Sequence, residues 1–311
     1  MKAQKYVRSG PGSGGVDALG ILDSRNLPDV DFSALWDAII LEEEMKSRLL
    51  SQSVLNFTLR PKVDRAEIPL HGVILLVGSP GTGKTSLARG LASRASDVLK
   101  GLGNFLYLEV EPHTLTSAAL GKSQKAITEL LGNTISEFAS TRPVVVLLDE
   151  VETLASDRSK MSLEANPIDV HRATDAVLAQ LDQLAIKHTN LLFIATSNFP
   201  EAIDSAFLSR ADLIMTIELP GPEACRKILI SSLEALGRSY QGVKQVSTDP
   251  IFEEAVRLCR GLDGRRIRKI IPTACTFSKQ TALDPNRLTA KDILLAVQHV
   301  QEEMTARGKK K

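Results

Sequence analysis

The sequence predicts an α/β fold, in which a five-stranded parallel sheet flanked by helices precedes a smaller C-terminal helical lid subdomain. Three observations carry this prediction: five short runs rich in Val, Ile and Leu, helical patterns in most intervals between them, and no further strand signal after Pro220. Continuous apolar runs are typical of strands buried on both faces. Strands that alternate with helices indicate a parallel sheet covered by helices.

The elements follow in order along the chain. Residues 1–30 combine Gly, Pro, Ser and Asp without periodicity, which predicts a flexible N-terminal arm. Residues 32–57 carry apolar residues at helical spacing, so we expect one amphipathic helix that begins near Ser33. The predicted strands are 73–77, 105–110, 144–148, 191–196 and 213–219, and the predicted helices between them include 86–99, 122–140 and 170–184.

Four helices are predicted after Pro220, over residues 222–236, 250–260, 264–280 and 289–307. Thr289 and Asp292 resemble a capping box for the last helix, and Pro272 is expected to interrupt or kink the third. The predicted organisation is therefore an arm (1–30), a large α/β subdomain (31–220), a helical lid (221–307) and a basic tail (308–311).

Composition and charge exclude several classes of protein. With 43% hydrophobic and 24% charged residues, the 311-residue chain is neither disordered nor fibrous. Its 38 basic and 37 acidic residues leave a net charge of +1, which argues against nucleic-acid binding by the whole surface. Its apolar runs are far shorter than the roughly 18 residues that span a bilayer, and no secretory signal is evident. We therefore expect a cytoplasmic protein without a membrane partner.

Cysteine and histidine spacing support no disulfide framework and no zinc site. The three cysteines lack CxxC spacing, and the five histidines form no HExxH motif. We expect the three cysteine thiols to be buried or to have no chemical role.

A phosphate-binding loop directly follows the first predicted strand. Residues 78–85, GSPGTGKT, fit GxxxxGK[ST] at every fixed position, and a chance Gly-rich turn is disfavoured because strand, loop and helix occur in that order. Glycines free the backbone to wrap anions, and the helix N-terminus attracts phosphate. Lys84 would reach the β and γ phosphates of ATP, and the Thr85 hydroxyl would hold Mg²⁺. The predicted ATP-binding residues are Gly78, Ser79, Pro80, Gly81, Thr82, Gly83, Lys84, Thr85 and Ser86.

Two carboxylates, Asp149 and Glu150, follow the third predicted strand. They belong to the carboxyl edge of the sheet, where α/β proteins bind ligands. Asp149 is predicted to join Thr85 in the Mg²⁺ shell, and Glu150 to orient and polarise the attacking water, so hydrolysis is expected. Two acidic residues can also form a solvated turn, but their pairing with the phosphate-binding loop disfavours that alternative.

Three further polar residues are candidates for catalytic roles. Asn198 ends the segment ATSN, where an amide can bond the γ-phosphate or the water, although a helix cap or turn suits the residue equally well. Arg210 is by default a surface residue, but in a ring of subunits it would reach a neighbour's γ-phosphate as an arginine finger. Arg265, in GLDGRRIRK, is favoured as a phosphate sensor over a solvated helix face or a nucleic-acid patch.

Taken in order, GSPGTGKT, VVVLLDE, ATSN, the SRAD segment and GLDGRRIRK resemble the motifs of an AAA+ ATPase. The segments WDAIILEEEMKSRLL, EPHTL, DEVETL, ATDAVLAQLDQL and IDSAFLSRAD resemble, more specifically, the pachytene checkpoint ATPases, also called the thyroid-hormone-receptor-interactor-13 family, and this similarity covers residues 32–301. The resemblance implies a homohexameric ring that hydrolyses ATP, engages the N-terminal segment of a HORMA-domain protein and converts that protein from closed to open.

The sequence departs from the family pattern in two places. Only residues 1–30 precede the AAA+ module, where eukaryotic members carry an adaptor-binding domain, and this compact form resembles bacterial members encoded beside HORMA proteins and cyclic-oligonucleotide synthases in CBASS antiphage systems. In the expected pore loop, residues 117–123, Ala119 replaces the usual aromatic residue, which leaves Leu120, Gly121 and Lys122 as the other candidate substrate contacts. A second pore loop is expected within residues 156–169.

Two other functions compete with a remodelling ATPase. A nucleotide-switched scaffold would bind partners with negligible turnover, but it would need no water-activating carboxylate such as Glu150. A DNA-directed ATPase would rely on the basic run Arg265, Arg266, Arg268 and Lys269. Steady-state ATP hydrolysis distinguishes a remodelling ATPase from the scaffold. Salt-dependent DNA binding would reveal the DNA-directed ATPase.

Overall fold

The computed structural model describes residues 16, 18–116, 122–157 and 167–308. They form two compact units. The first consists of the chain up to Gly78 together with Lys84–Ile217, and the second consists of Ser79–Gly83 together with the chain from Glu218 onward. The middle of the phosphate-binding loop thus groups with the C-terminal unit, whereas the sequence predicted it within the large subdomain.

Six strands form the sheet of the first unit. They are β1 (Ile21–Leu27), β2 (Val73–Val77), β3 (Phe105–Val110), β4 (Val144–Leu148), β5 (Leu191–Ser197) and β6 (Leu213–Thr216). Their order is β1-β3-β4-β5-β2-β6, and every neighbouring pair is parallel except β1 with β3. The five predicted strands are confirmed, and the sheet carries one additional antiparallel edge strand.

The sheet is buried on both faces. In β2, Val73 and Leu75 belong to the apolar core on one face, whereas Ile74 and Leu76 belong to the core on the other. Because successive side chains of a strand point to opposite faces, a strand covered on both sides must be apolar throughout. The helices of this unit are α1 (Val30–Ala38), α2 (Glu43–Thr58), α3 (Lys84–Val98), α4 (Pro112–Thr116), α5 (Lys122–Ile127), α6 (Ser136–Ala139), α7 (Pro167–Lys187) and α8 (Ser205–Leu208), with a π-helical segment, Thr128–Ile135, between α5 and α6.

The N-terminal region differs from its prediction. Part of the predicted arm is β1, which pairs antiparallel with β3 from Ile21 opposite Val110 to Leu27 opposite Phe105. The sequence of β1, ILDSRNL, mixes polar and apolar residues because an edge strand is only partly covered, so a search for continuous apolar runs misses it. The single helix predicted over residues 32–57 is two helices, because the chain turns extended at Ile39 after α1.

The second unit is helical. Its helices are α9 (Pro222–Gly237), α10 (Pro250–Leu258), α11 (Gly264–Cys275), α12 (Lys279–Leu283) and α13 (Ala290–Gly308). The four predicted helices are present, but the third is divided into α11 and α12, and Pro272 lies inside α11. The capping box is confirmed, because Asp292 accepts from the Thr289 N–H at 2.9 Å and Thr289 Oγ1 accepts from the Asp292 N–H at 3.3 Å. Beyond Gly308 the predicted tail lies outside the described residues.

All three cysteines are free. In the part of the chain that the structure describes, no three His, Cys, Asp or Glu side chains are grouped to hold a metal ion. None of the described helices is both long and apolar enough to cross a bilayer.

One carboxylate anchors the start of β2. Asp212, directly before β6, accepts hydrogen bonds from the backbone N–H groups of His71 at 2.8 Å, Gly72 at 2.6 Å and Val73 at 3.1 Å. Hydrogen bonds to an ionised acceptor are stronger than those between neutral groups. Asp212 therefore fixes the strand that leads into the phosphate-binding loop.

We predict that Asp212→Ala destabilises the protein. The substitution leaves backbone donors without their acceptor, at a cost of about 1 to 3 kcal/mol in the free energy of unfolding. Urea denaturation of the full chain, followed by circular dichroism, measures the change. Asp97→Ala is the control, since Asp97 forms only an exposed ion pair with Arg94 at 3.8 Å and such pairs contribute at most about 1 kcal/mol. Equal shifts in both variants would contradict the anchoring role.

Candidate active site

Three predicted motifs meet at the carboxyl edge of the sheet. Strands β4, β5 and β2 are neighbours and run parallel, with Leu148 of β4 opposite Ala195 of β5 and Val77 of β2 opposite Ser197 of β5. Parallel strands end at the same edge, where open α/β sheets bind ligands. Asp149 and Glu150, Asn198, and Gly78 follow these strands directly.

Lys84, the first residue of α3, bridges two of these motifs. Its Nζ donates to the Gly78 carbonyl and to Asn198 Oδ1, both at 2.8 Å. The chain passes close to Ile217 at Gly78, where a Cβ atom would lie 2.2 Å from the Ile217 carbonyl oxygen, and the φ of 151° also suits glycine. The first glycine of the motif is thus required for the loop to leave β2 on this path.

The acidic pair is held by hydroxyl groups. Thr85 Oγ1 donates to Asp149, at 2.9 Å from Oδ1 and 3.2 Å from Oδ2, and Thr196 Oγ1 donates to Asp149 Oδ1 at 2.5 Å. Glu150 has a φ of 54° and is, among the described residues, the one non-glycine with positive φ. Such strained backbone clusters at functional sites. The Glu150 carboxylate accepts from Asn198 Nδ2 at 3.2 Å.

These residues fit the needs of a nucleotide and its metal ion. Mg²⁺ prefers hard oxygen ligands such as the Asp149 carboxylate and the Thr85 hydroxyl, which already lie within hydrogen-bonding distance of each other. A lysine is a compact positive charge suited to phosphate. The first unit therefore brings together Lys84, Thr85, Asp149, Glu150 and Asn198, as the sequence predicts for an ATP site.

The remaining loop residues belong to the second unit. The Gly81 carbonyl accepts from the backbone N–H of Arg265 at 3.2 Å, and a Cβ atom on Gly81 would lie 2.3 Å from Asp263 Oδ1. Asp263 caps α11 by accepting from the Arg266 N–H at 3.0 Å. The Arg265 side chain is exposed in the first turn of this helix. Ser79 and Pro80 are exposed, Thr82 and Gly83 are half-buried, and in the first unit Ser86 lies half-buried in the first turn of α3.

The structure places Arg210 on a carboxylate of its own chain. Its Nε and Nη2 donate to the two oxygens of Asp182 at 2.9 and 2.7 Å, and its Nη1 donates to the Ala206 carbonyl at 2.6 Å. These hydrogen bonds lower the pKa of the Asp182 carboxyl and raise the pKa of Arg210. Two further basic residues face Asp182 Oδ1, Arg65 at 3.8 Å and His71 at 3.4 Å, and burial lowers the pKa of His71, which favours its neutral form.

The pore-loop predictions fall largely outside the described residues. Ala119, Leu120 and Gly121 lie there, whereas Lys122 is the first residue of α5. Of the expected second loop, residues 158–166 also lie outside the described part of the chain.

Sequence reasoning missed three residues that hold the predicted site residues in place. Thr196 binds Asp149, Asp182 binds Arg210, and Glu152 Oε1 accepts from the Asn198 backbone N–H at 3.1 Å. The other Glu152 oxygen is buried and has no hydrogen-bond partner among the described residues. For Thr196 the sequence offers only its place in ATSN, two positions before Asn198 at the end of β5, and this spacing does not identify its partners.

Comparison with known proteins identifies the family of this chain. Residues 74–219 match the ATPase family associated with various cellular activities (AAA). The chain is 53% identical to CD-NTase-associated protein 6 of Pseudomonas aeruginosa over 292 residues, which cover 94% of this chain and 96% of that protein. It is 35% identical to the pachytene checkpoint protein 2 homolog of Danio rerio, over 88% of this chain and 68% of that protein. The chain belongs to this family of AAA ATPases.

Solved structures of AAA ATPases share the fold. The structure of C. elegans PCH-2 matches with a TM-score of 0.73 at 28% identity, over 92% of this chain and 77% of that chain. A chain in the E. coli MS115-1 HORMA:CdnC:Trip13 complex matches with a TM-score of 0.72 at 21% identity, over 90% of this chain and 95% of that chain. The family expected from the sequence motifs is therefore confirmed.

For an AAA ATPase with this site, we predict opposite effects of two substitutions. Lys84→Ala should abolish ATP binding because it removes the cation at the phosphate-binding loop. Glu150→Gln should bind ATP but hydrolyse it slower by about 10²- to 10⁴-fold, the usual contribution of a positioned general base. Calorimetric ATP binding and steady-state phosphate release measure the two properties. Lys100→Ala, at an exposed position, is the control, and near-normal turnover of Glu150→Gln would contradict the role of Glu150.

Proposed function

We propose that this chain is a ring-forming ATPase that remodels a HORMA-domain protein within a CBASS antiphage system. The observation that carries the proposal is the 53% identity to CD-NTase-associated protein 6 across 96% of that protein. An identity spread over the whole length supports a shared function better than a match confined to the ATPase motifs. The solved HORMA:CdnC:Trip13 complex supports the nature of the partners, since one of its chains shares the fold of this chain.

The chemistry rests on five residues of the first unit. Lys84 binds the β and γ phosphates of ATP, and Thr85 with Asp149 holds Mg²⁺, which neutralises phosphate charge when bound. Glu150 orients the attacking water and accepts its proton. Asn198 lies 2.8 Å from Lys84 Nζ and 3.2 Å from Glu150 Oε1, so its amide is placed to sense the γ-phosphate and to orient Glu150. In the second unit, Arg265 serves as an additional phosphate sensor.

Arg210 completes the site of a neighbouring subunit in a homohexamer. An arginine finger must leave its resting partner when it reaches a γ-phosphate across an interface. Asp182 permits this departure, because the Arg65 guanidinium also faces its carboxylate and remains when Arg210 leaves. The exchange of one anionic partner for another keeps the guanidinium charge compensated in both states.

A charge exchange between Arg210 and Asp182 tests this role. The double variant Arg210→Asp, Asp182→Arg should restore part of the thermal stability lost in the single variants, because the exchanged arginine also faces Arg65. It should remain slower in ATP hydrolysis by about 10³-fold or more, because position 210 no longer supplies an arginine finger. Thermal unfolding and phosphate release are measured on the same preparations. The control is the same exchange at the exposed pair Glu223 and Lys227, 2.7 Å apart.

One outcome of the charge exchange would contradict the arginine finger, and subunit mixing tests the ring separately. Recovery of hydrolysis together with stability would show that the pair is only structural. Mixing Arg210→Ala with Glu150→Gln subunits should recover part of the activity, because some interfaces then combine an intact Glu150 with an intact Arg210. Full activity of an isolated monomer would overturn the ring.

The remodelling step is the engagement of the N-terminal segment of the HORMA protein by the pore loop, which converts the partner from closed to open. Aromatic side chains bury roughly 150 to 250 Å² each, so a loop with Ala119 in that place grips less firmly. A modest grip suffices if only one segment must be freed, because opening a local element costs less than unfolding the whole domain. Leu120 supplies the apolar contact of this loop, with Gly121 and Lys122 beside it.

We predict that Leu120→Ala uncouples ATP hydrolysis from the remodelling of the HORMA protein. ATP hydrolysis should continue, while the purified HORMA protein stays bound to its closure peptide or its CD-NTase partner, as followed by size-exclusion chromatography. Deleting the N-terminal residues of the HORMA protein should have the same effect. Leu283→Ala, an exposed leucine of α12, is the control. Disassembly by Leu120→Ala at the wild-type rate would refute the grip, and inactivity of the wild-type ATPase on HORMA-domain proteins of CBASS systems would refute the partner.

A further inference from the structure

Thr196 is a buried threonine near the carboxyl edge of the sheet. It belongs to β5, the strand between β4 and β2, and it is 2% exposed. A buried hydroxyl must find hydrogen-bond partners, because its transfer from water is otherwise costly. The nearest strand ends supply Asp149 and Glu150.

The single hydroxyl of Thr196 serves both acidic residues at once. As a donor it binds Asp149 Oδ1 at 2.5 Å, and as an acceptor it receives the backbone N–H of Glu150 at 3.2 Å. Both capacities of the hydroxyl, as donor and as acceptor, are thereby used. Among the described residues, no other side chain forms hydrogen bonds to both the Asp149 carboxylate and the Glu150 backbone.

The hydroxyl of Thr196 is one of two that orient the Asp149 carboxylate. Thr85, from α3, donates to the same carboxylate at 2.9 and 3.2 Å. Donors from β5 and from α3 together restrict the rotation of the Asp149 side chain. Outer partners of this kind orient a ligand before the metal arrives, and they tune metal affinity.

The bond to Glu150 supports a strained turn. Glu150 has left-handed backbone angles, φ 54° and ψ 54°, which are unfavourable for a non-glycine residue and persist only where the surroundings hold them. The Thr196 hydroxyl accepts the N–H of this residue and so fixes the turn from which the Glu150 side chain reaches Asn198.

We propose that Thr196 is a positioning residue of the ATPase site, which sets the Asp149 carboxylate for Mg²⁺ and the Glu150 backbone for water activation through one hydroxyl group. This inference rests on the proposed ATP hydrolysis. It extends the site by a residue that touches neither nucleotide nor water and acts through the two acidic residues.

The test compares Thr196→Val, which keeps the shape and removes the hydroxyl, with Thr196→Ser, which keeps the hydroxyl. In Thr196→Val the turnover number should fall by about 10- to 100-fold, as for outer partners of metal ligands, with a smaller change in KM for ATP. Thr196→Ser should recover most of this loss. Thr174→Val, at a buried threonine of α7 whose hydroxyl contacts only the Leu154 carbonyl at 3.4 Å, is the control.

A second readout does not depend on turnover. In the Glu150→Gln background, binding of a fluorescent ATP analogue is titrated with Mg²⁺, and Thr196→Val should need about 10-fold more Mg²⁺ to reach half-maximal enhancement. Binding in EDTA should stay unchanged, because the lysine and the loop remain. Thermal unfolding of the nucleotide-free protein shows whether the variant folds, and Thr196→Ala replaces Thr196→Val if it does not.

The outcomes separate the inference from the proposed function. If the wild-type chain binds no ATP analogue with Mg²⁺ present, the proposed ATPase site is wrong. If the wild type hydrolyses ATP and the folded Thr196→Val or Thr196→Ala protein matches it in turnover and in Mg²⁺ dependence, the positioning role of Thr196 is wrong. Failure of Thr196→Ser to recover activity would also overturn it, since the hydroxyl alone is held responsible.

Discussion

Parallel pairing of β4 with β5 and of β5 with β2 is the constraint on which the rest of the structure depends. These ladders bring the acidic pair, Asn198 and Gly78, the first residue of the phosphate-binding loop, to one edge, although they are far apart in the chain. Register matters as much as order, because a slip of one residue would turn Thr196 to the opposite face of the sheet. The apolar cores on both faces hold the register, since each strand must place its side chains in both.

Polar groups at this edge form a connected network. The Asp149 carboxylate accepts hydrogen bonds from two hydroxyl groups. Glu150 accepts one from the Asn198 side-chain amide, and Glu152 accepts one from the Asn198 backbone N–H. Chains of hydrogen bonds strengthen one another in a low-dielectric site. A displacement of Asn198 would therefore act directly on Glu150 and Glu152.

The same network continues along the two segments that leave the edge. Beyond Glu152 the chain pairs with the segment that follows β5, through a bridge between Ser156 and Ile203 and through the Asp204 N–H, which donates to the Ala155 carbonyl at 2.9 Å. The chain then reaches residues 158–166, where the second pore loop is expected. A backbone connection thus runs from Asn198 toward a candidate substrate loop, which gives the proposed coupling of hydrolysis to remodelling a physical route.

The fold class, five strands of the sheet and the motifs that meet at its carboxyl edge were predictable from the sequence, because each has a local signature. Buried parallel strands are apolar throughout, and a phosphate-binding loop has glycines and a lysine at set spacing. Strand β1 and the break between α1 and α2 were not predictable, since an edge strand tolerates polar residues and a helix break leaves the apolar spacing intact. Tertiary structure alone decided that Thr196 serves Asp149 and Glu150 and that Asp182 holds Arg210. Hydrogen bonds between residues distant in the chain leave no periodicity, and only the packed sheet brings their partners within reach.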